Sequence, residues 1–208
     1  MYTIYDPHPG PEVPLPNPFW ILSVDPGITN VGFRVERRYW RGRRQLVRIE
    51  TVWMEVLDFS ADSFPETLVK MQNFLALTLC FVHLLSLIII EEQLSKQNPL
   101  VSRAGQHWLS FYLSACREAP LRPKIYEFHS QAAKRIFGIE RGLGSQVKSA
   151  IHAIGERIIA AGRDKKGQKK LAEYRKTYQY HLTDAIVQAE AVCLQEGYPC
   201  CQLTNGTV

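Results

Sequence analysis

The sequence predicts an α/β fold in which a mixed β-sheet carries helices on both faces. Two observations support this prediction. Three strand-like segments follow one another in the first third of the chain, and later strands alternate with helical segments. In addition, Leu87–Ile90 is a run of branched aliphatic residues followed at once by two acids, as expected for a central strand covered on both faces. At 208 residues with an ordinary globular composition, the chain is long enough to bury a substantial core.

The strands are identified as apolar or alternating segments that end at turn residues. Asp25-Pro26-Gly27 forms the turn after the first strand, and the basic, glycine-containing segment 41–44 separates the second strand from the third. The predicted strands are residues 19–25, 31–36, 46–57, 87–90 and 124–128.

The helices are recognised from amphipathic segments and from capping residues. Ser63 and Glu66 match a capping box, with Pro65 in the first turn of the helix that follows. Residues 163–174 are interpreted as a charged insertion. The predicted helices are residues 65–85, 100–117, 131–137, 146–161 and 182–195.

The element order βββαβαβα is that of the ribonuclease H-like fold, so we expect a mixed five-stranded sheet flanked by helices. Residues 1–18 hold half of the prolines and are expected to form an extended arm outside the core. The domain is expected to span residues 19–197, with a C-terminal tail at 198–208. The apolar stretch 74–90 is interpreted as a helix end running into a buried strand, because it is marginal in length for a membrane span and contains polar residues.

The charge of the chain favours a polyanionic partner. The net charge is +5 with a pI of about 9.0, and basic residues cluster within 34–48 and 163–176. Nucleic-acid binding and a merely solvated basic face explain such clusters about equally well. The five cysteines include no Cys-x-x-Cys pair, and no signal peptide is recognisable. We therefore expect a cytoplasmic or nuclear protein in a reducing compartment, without structural zinc and not secreted.

Acidic residues lie at the ends of two predicted strands. Asp25 ends the first strand and Glu91 directly follows the fourth, while Glu92 competes with Glu91 for the same role. His181 and Asp184 are three residues apart at the predicted start of the last helix, so they lie on one helix face. If these groups meet, their negative charge requires cations, and hard divalent ions with oxygen ligands are the suitable kind.

Each of these residues also has a simpler explanation. Asp25-Pro26-Gly27 is a favourable turn sequence, the strand-end glutamates suit a solvated cap, and the helical pair suits a helix N-terminus. The combination in this element order favours a site in which two metal ions clamp a phosphodiester from two sides.

Residues 21–194 resemble the RuvC-type Holliday junction resolvases, including the poxvirus and related large-virus members. The resemblance rests on Ile21–Gly27, on Ile89-Ile90-Glu91 followed by Asn98-Pro99, and on His181–Ala185. It implies a homodimer that binds branched DNA and resolves four-way junctions by cutting two opposed strands. It also implies hydrolysis that depends on Mg²⁺ or Mn²⁺, with two ions in each active site.

The resemblance assigns roles to individual residues. The implied metal ligands are Asp25, Glu91 and Asp184. His181 stands where many relatives have Asp, and it would be a further ligand or a base for the attacking water. An imidazole suits Mn²⁺ and other transition metals better than Mg²⁺. Lys134 and Lys148 fall where the family carries basic residues near the scissile strand.

Two basic segments are expected to hold the DNA backbone, so binding should weaken steeply with salt. One is the turn between the second and third strands, and the other is the charged insertion. Their residues are Arg41, Arg43, Arg44, Lys165, Lys166, Lys169 and Lys170.

Other functions remain open at this point. Asp25–Asn30 also resembles the first phosphate loop of actin-like and sugar-kinase phosphotransferases, but the chain is short for such an enzyme and lacks a second Gly-rich phosphate loop. Another ribonuclease H-like nuclease, acting on hybrids or other branched DNA, would use the same acids. A non-catalytic nucleic-acid-binding module would keep the fold without needing them.

Overall fold

The computed structural model describes residues 3–5, 15–42, 45–93, 98–117, 123–139 and 144–201. They form a mixed β-sheet with helices on both faces, which confirms the predicted ribonuclease H-like α/β fold. The strands are β1 (Thr3–Tyr5), β2 (Phe19–Asp25), β3 (Asn30–Arg41), β4 (Gln45–Asp58), β5 (Leu87–Glu91) and β6 (Lys124–Phe128). Their spatial order is β1-β6-β5-β2-β3-β4.

All five predicted strands are present in this sheet. β3 pairs antiparallel with both β2 and β4, whereas β5 pairs parallel with both β2 and β6. A sixth strand, β1, pairs antiparallel with β6. It corrects the expected strand count, because a three-residue strand inside the arm 1–18 is too short to show a pattern. The domain boundaries themselves remain a prediction.

The helices within the described ranges are α1 (Phe64–Val82), α2 (Pro99–Ala115), α3 (Ser130–Ile136), α4 (Gly144–Ala161), α5 (Lys165–Ala172) and α6 (Lys176–Glu196). Ser63 caps α1 as predicted, since its side chain accepts a hydrogen bond from the Glu66 N–H. The last helix begins at Lys176 rather than at residue 182. The sequence did not indicate this start, because the N-cap residue is Arg175, whose side chain makes no capping hydrogen bond. None of the described helices is long and apolar enough to cross a membrane.

The sheet separates two apolar cores. α1 and α2 cover one face, and α3 to α6 cover the other. Ile21 of β2 and Ile89 of β5 face the second core. Alternate residues of a strand point to the same face of the sheet. Asp25 therefore lies on the same face as Ile21, and Glu91 on the same face as Ile89, which is the face that α6 covers.

A buried ionic network lies on the same face as α6. Arg34, Glu36 and Arg38 are fully buried on β3. Arg34 contacts Glu36 and lies 3.0 Å from Asp164. Arg38 lies 2.6 Å from Glu36 and 2.7 Å from Glu190. Buried charges need such partners, so these two arginines, which the sequence grouped with a basic cluster, stabilise the interior instead of facing a nucleic acid.

Candidate active site

Two carboxyl groups lie side by side at the carboxyl ends of adjacent parallel strands. β2 and β5 pair in register through Val24 and Ile90, so the next residues on the two strands are Asp25 and Glu91. Their side chains are close enough for a hydrogen bond, which favours the protonated form of Glu91 and the ionised form of Asp25. This edge of an open α/β sheet is where ligands usually bind.

α6 supplies the other members of the cluster. His181, Asp184 and Gln188 recur at three- and four-residue intervals, so they share one helix face. His181 Nδ1 lies 3.0 Å from Asp25 Oδ2. Gln188 Nε2 donates a hydrogen bond to Glu91 Oε2. Each strand-end acid therefore has its own partner on α6, and Asp184 lies between the two partners along the helix.

Two glycines let α6 lie this close to its neighbours. A Cβ on Gly32 of β3 would stand 2.2 Å from the backbone oxygen of His181. A Cβ on Gly155 of α4 would stand 2.9 Å from the Thr183 side chain. The first contact is with backbone, which cannot rotate away, and the second is with a stiff β-branched side chain. The position of the helical turn that contains His181, relative to β3 and to α4, therefore depends on these two glycines.

The acids of the cluster resist ionisation. Burial raises the pKa of Asp25 well above its usual range, and the charge of Asp184 raises it further. Burial raises the pKa of Glu91 as well, and the charges of Asp25 and Asp184 raise it further. Burial also raises the pKa of Asp184 to about 6, against the opposing effect of His181 and nearby lysines. A bound cation would relieve this mutual repulsion.

Burial favours the uncharged form of His181. Burial lowers the pKa of His181, against the charge of Asp184, which acts in the opposite direction. In the uncharged form the contact of His181 with Asp25 is a hydrogen bond rather than an ion pair. When Nδ1 donates its proton to Asp25, the lone pair of Nε2 is left to bind an ion or to accept a proton.

A cleft of about 410 Å³ opens beside the acids, between α3, α4 and α6. Its lining includes both lysines predicted from the sequence, Lys134 and Lys148. Lys148 acts electrostatically on Asp25 and Asp184, and Lys134 acts on Glu91 and Asp184. The two lysine side chains thus lie near the acid cluster, beside a space large enough for a phosphate group.

Glu92 does not join this cluster. It lies one residue past Glu91 and therefore points to the other side of the sheet. Its backbone N–H donates to the Phe128 carbonyl at 2.9 Å. Burial raises the pKa of Glu127 on β6, and the charge of Glu92 raises it further. The structure brings Glu91, and not Glu92, to the other acids.

The basic hairpin between β3 and β4 is described in part. Arg41 is exposed at the end of β3, whereas Arg43 and Arg44 lie outside the described residues. Nearby, Arg37 makes two hydrogen bonds to Glu50, at 3.1 and 2.8 Å, so part of the positive charge is neutralised within the protein. DNA binding by this hairpin is still a prediction.

The charged insertion folds into α5, which packs against β4. Asp164 caps this helix through a hydrogen bond of 2.9 Å. Lys166 donates to a backbone carbonyl of β4 at 2.6 Å, and Lys170 lies 3.1 Å from a neighbouring glutamate. Lys165 and Lys169 are exposed. Lys166 is exposed too, so of the four lysines predicted to contact DNA, Lys165 and Lys169 are the exposed ones for which no side-chain bond within the protein is described.

The donor set of the cluster suits hard divalent ions. It offers carboxylate oxygens, one imidazole nitrogen and Gln188 Oε1, which is buried without a hydrogen-bond partner in the described residues. Within the described ranges, no three His, Cys, Asp or Glu side chains already surround a common point as ligands would. Asp25 and Glu91 instead interact through a hydrogen bond between their carboxyl groups. The fit is therefore one of donor chemistry, and a cation would have to replace the proton of this hydrogen bond.

Gln188 and the two packing glycines were not singled out from the sequence. Gln188 follows Asp184 by four residues, and this spacing was the available signal for a third group on the same face. Gly32 and Gly155 contact residues far away along the chain, so only the folded structure identifies their role.

Solved structures with the same fold include two of Thermus thermophilus RuvC. The Thermus thermophilus RuvC structure has a TM-score of 0.56 and 18% identity, covering 86% of this chain and 97% of that chain. T. thermophilus RuvC in complex with Holliday junction substrate has a TM-score of 0.56 and 20% identity, covering 86% of this chain and 97% of that chain.

The yeast mitochondrial Holliday junction resolvase Ydc2 is a more distant match. Its TM-score is 0.54 at 12% identity, covering 88% of this chain and 86% of that chain. No protein-family model and no curated protein matches the sequence. The structural similarities show that this chain has the ribonuclease H-like fold.

Proposed function

We propose that the protein is a metal-dependent endonuclease that resolves four-way DNA junctions by hydrolysing phosphodiester bonds in two opposed strands. The observation that carries this proposal is the convergence of Asp25, Glu91 and Asp184 with His181, beside a cleft that contains two lysines. The shared fold supports it, because one of the similar structures is a complex with a Holliday junction substrate. A place in the poxvirus and large-virus branch is part of this proposal.

The three carboxylates would hold Mg²⁺ or Mn²⁺, with two ions in each site. His181 would contribute Nε2 as a further ligand or as the base that takes a proton from the attacking water, while Asp25 keeps its Nδ1–H in place. Divalent ions at such a site activate a water molecule and stabilise the charge on the leaving oxygen.

Lys134 and Lys148 would face the phosphodiester that is cut. Their charges offset the negative charge that develops on the phosphate oxygens as the water attacks. The ammonium of Lys148 lies 5.9 Å from the ring centre of Tyr180, a cation–π distance that restrains its position. Replacing either lysine is therefore expected to lower the cleavage rate more than the affinity for the junction.

Paired cuts in a four-way junction require two active sites that are related by a two-fold axis, so we propose a homodimer. Arg41 with its hairpin neighbours, and the exposed Lys165 and Lys169, would contact backbone phosphates. Recognition would then depend on the shape of the branched DNA more than on its base sequence.

A cleavage assay with a substrate panel tests this function. The purified protein is incubated with labelled four-way junctions, flaps, RNA–DNA hybrids and duplexes, with Mg²⁺ or Mn²⁺. We expect paired cuts in opposed strands of the junction and no cleavage in excess EDTA. Cleavage in EDTA would contradict the metal chemistry, and a preference for hybrids would assign the protein to another class of ribonuclease H-like nuclease.

Two matched variants complete the assay. Asp25→Asn should abolish cleavage while leaving junction binding largely intact. Asp58→Asn changes an exposed aspartate that accepts a hydrogen bond from the Ser60 N–H at 2.8 Å, and it should cut like the parent. Full activity of Asp25→Asn would remove this residue from the chemistry.

A further inference from the structure

Gln188 occupies a position on α6 that an aliphatic side chain could fill at lower cost. It is 2% exposed and lies among apolar residues of the helix. Its Nε2 donates to Glu91 Oε2, while its Oε1 has no hydrogen-bond partner in the described part of the chain. An unpaired buried carbonyl oxygen destabilises a fold. Packing therefore does not explain the amide, whereas its place in the lining of the cleft suggests a role at the acid cluster.

The hydrogen bond to Glu91 determines how the amide is oriented. In the structure the NH₂ group of Gln188 faces Glu91 Oε2 and the carbonyl oxygen faces away. Glu91 as an ionised metal ligand would only accept hydrogen bonds, which keeps the amide in this orientation. This bond engages one of the two oxygens of Glu91 and restricts the rotation of the carboxylate. His181 has the same relation to Asp25, at 3.0 Å. The two strand-end acids are thus oriented by two different residues of one helix face.

We infer that Gln188 is a positioning residue that orients Glu91 as a metal ligand, and that its Oε1 accepts a hydrogen bond from a water molecule of the bound ion. This inference rests on the proposed metal binding at the cluster. Mg²⁺ in proteins usually keeps several of its waters, which need acceptors around the site. Groups that hold the ligands of a metal in place typically contribute a factor of about 10–100 to its affinity.

Metal binding by the full-length protein without DNA tests the inference. Free Mn²⁺ is measured by electron paramagnetic resonance during titration of the parent, Gln188→Leu and Gln188→Met. Leu removes both ends of the amide, and Met keeps the length of the side chain without its donor. Gln106→Leu is the matched control, because Gln106 donates to Glu127 at 3.0 Å in a Gln–Glu pair outside the cluster.

We expect both Gln188 variants to bind Mn²⁺ about 10–100-fold more weakly than the parent. In EDTA their thermal midpoints should equal or exceed that of the parent, because the unpaired carbonyl oxygen has gone. Gln106→Leu should keep the affinity of the parent. A purely structural role predicts the reverse for Gln188, which is a lower midpoint with unchanged affinity.

Mn²⁺ affinities of both Gln188 variants within about twofold of the parent would overturn the inference, whatever the cleavage assay shows. If the parent and the control bind Mn²⁺ but cut no DNA, the proposed function fails, while the weaker binding of the Gln188 variants still supports the inference. If the parent binds no Mn²⁺, both are overturned.

Discussion

Replacing Asp184 by asparagine should stabilise the metal-free protein while it abolishes cleavage. Burial raises the pKa of Asp184 from 3.8 to about 6. An acid whose pKa is higher in the folded than in the unfolded state makes the protein lose stability as the pH rises from about 4 to about 6, because the folded state binds more protons over that range. At about 1.36 kcal/mol per pH unit, ionised Asp184 lowers the free energy of unfolding by up to about 3 kcal/mol at neutral pH.

Asparagine has the same shape and no charge, so it should recover much of this free energy. We expect a gain of about 2 kcal/mol, which corresponds to about 4–8 °C in Tm for a protein of this size. Thermal and urea unfolding in EDTA at pH 7.5 measure the gain, which should shrink at pH 5, where the parent carboxyl is protonated. Asp58→Asn, at an exposed aspartate whose pKa is lowered by its hydrogen bonds to Ser60, should give no gain. A variant less stable than the parent at pH 7.5 would refute the reasoning, because attraction to His181 and the lysines would then outweigh burial.

Three other substitutions test the framework around the site. Gly32→Ala places a methyl group 2.2 Å from the backbone oxygen of His181, so urea denaturation should show a loss of about 1–3 kcal/mol and the cleavage rate should fall. Arg34→Met leaves the buried Asp164 without its arginine and Glu36 with Arg38 alone, and should cost about 3–5 kcal/mol of unfolding free energy in the same assay. Lys165→Ala combined with Lys169→Ala should lower the slope of log Kd against log salt by up to about 2 in fluorescence anisotropy, with an unchanged cleavage rate at saturation. Unchanged stability of Gly32→Ala or of Arg34→Met would contradict the close packing on His181 or the buried ion pair, respectively. An unchanged slope in the double lysine variant would contradict its phosphate contacts.

The strand-end acids were predictable because their signal is local. Asp25 and Glu91 each follow a short apolar run, and a run of that kind indicates a buried strand whatever the rest of the chain does. The alternation of side chains along a strand also explains why Glu91 and not Glu92 reaches the α6 face. The spacing of His181 and Asp184 needed only helical geometry.

The remaining features depend on contacts between distant segments. Arg34 and Arg38 belong to a basic stretch of sequence, and only the pairing with Asp164 and Glu190 explains their burial. Nothing in the sequence around Gly32 indicates that α6 packs against it. Such contacts leave no local periodicity, so sequence patterns alone could not show them.

A crystal of the protein soaked in Mn²⁺ and measured at the manganese absorption edge would test the central claim most directly. The anomalous difference map should show manganese among the side chains of Asp25, Glu91 and Asp184, with the carboxyl groups of Asp25 and Glu91 turned from each other toward the ions. A map without manganese at these residues, from protein that still cuts four-way junctions in a Mn²⁺-dependent reaction, would contradict it.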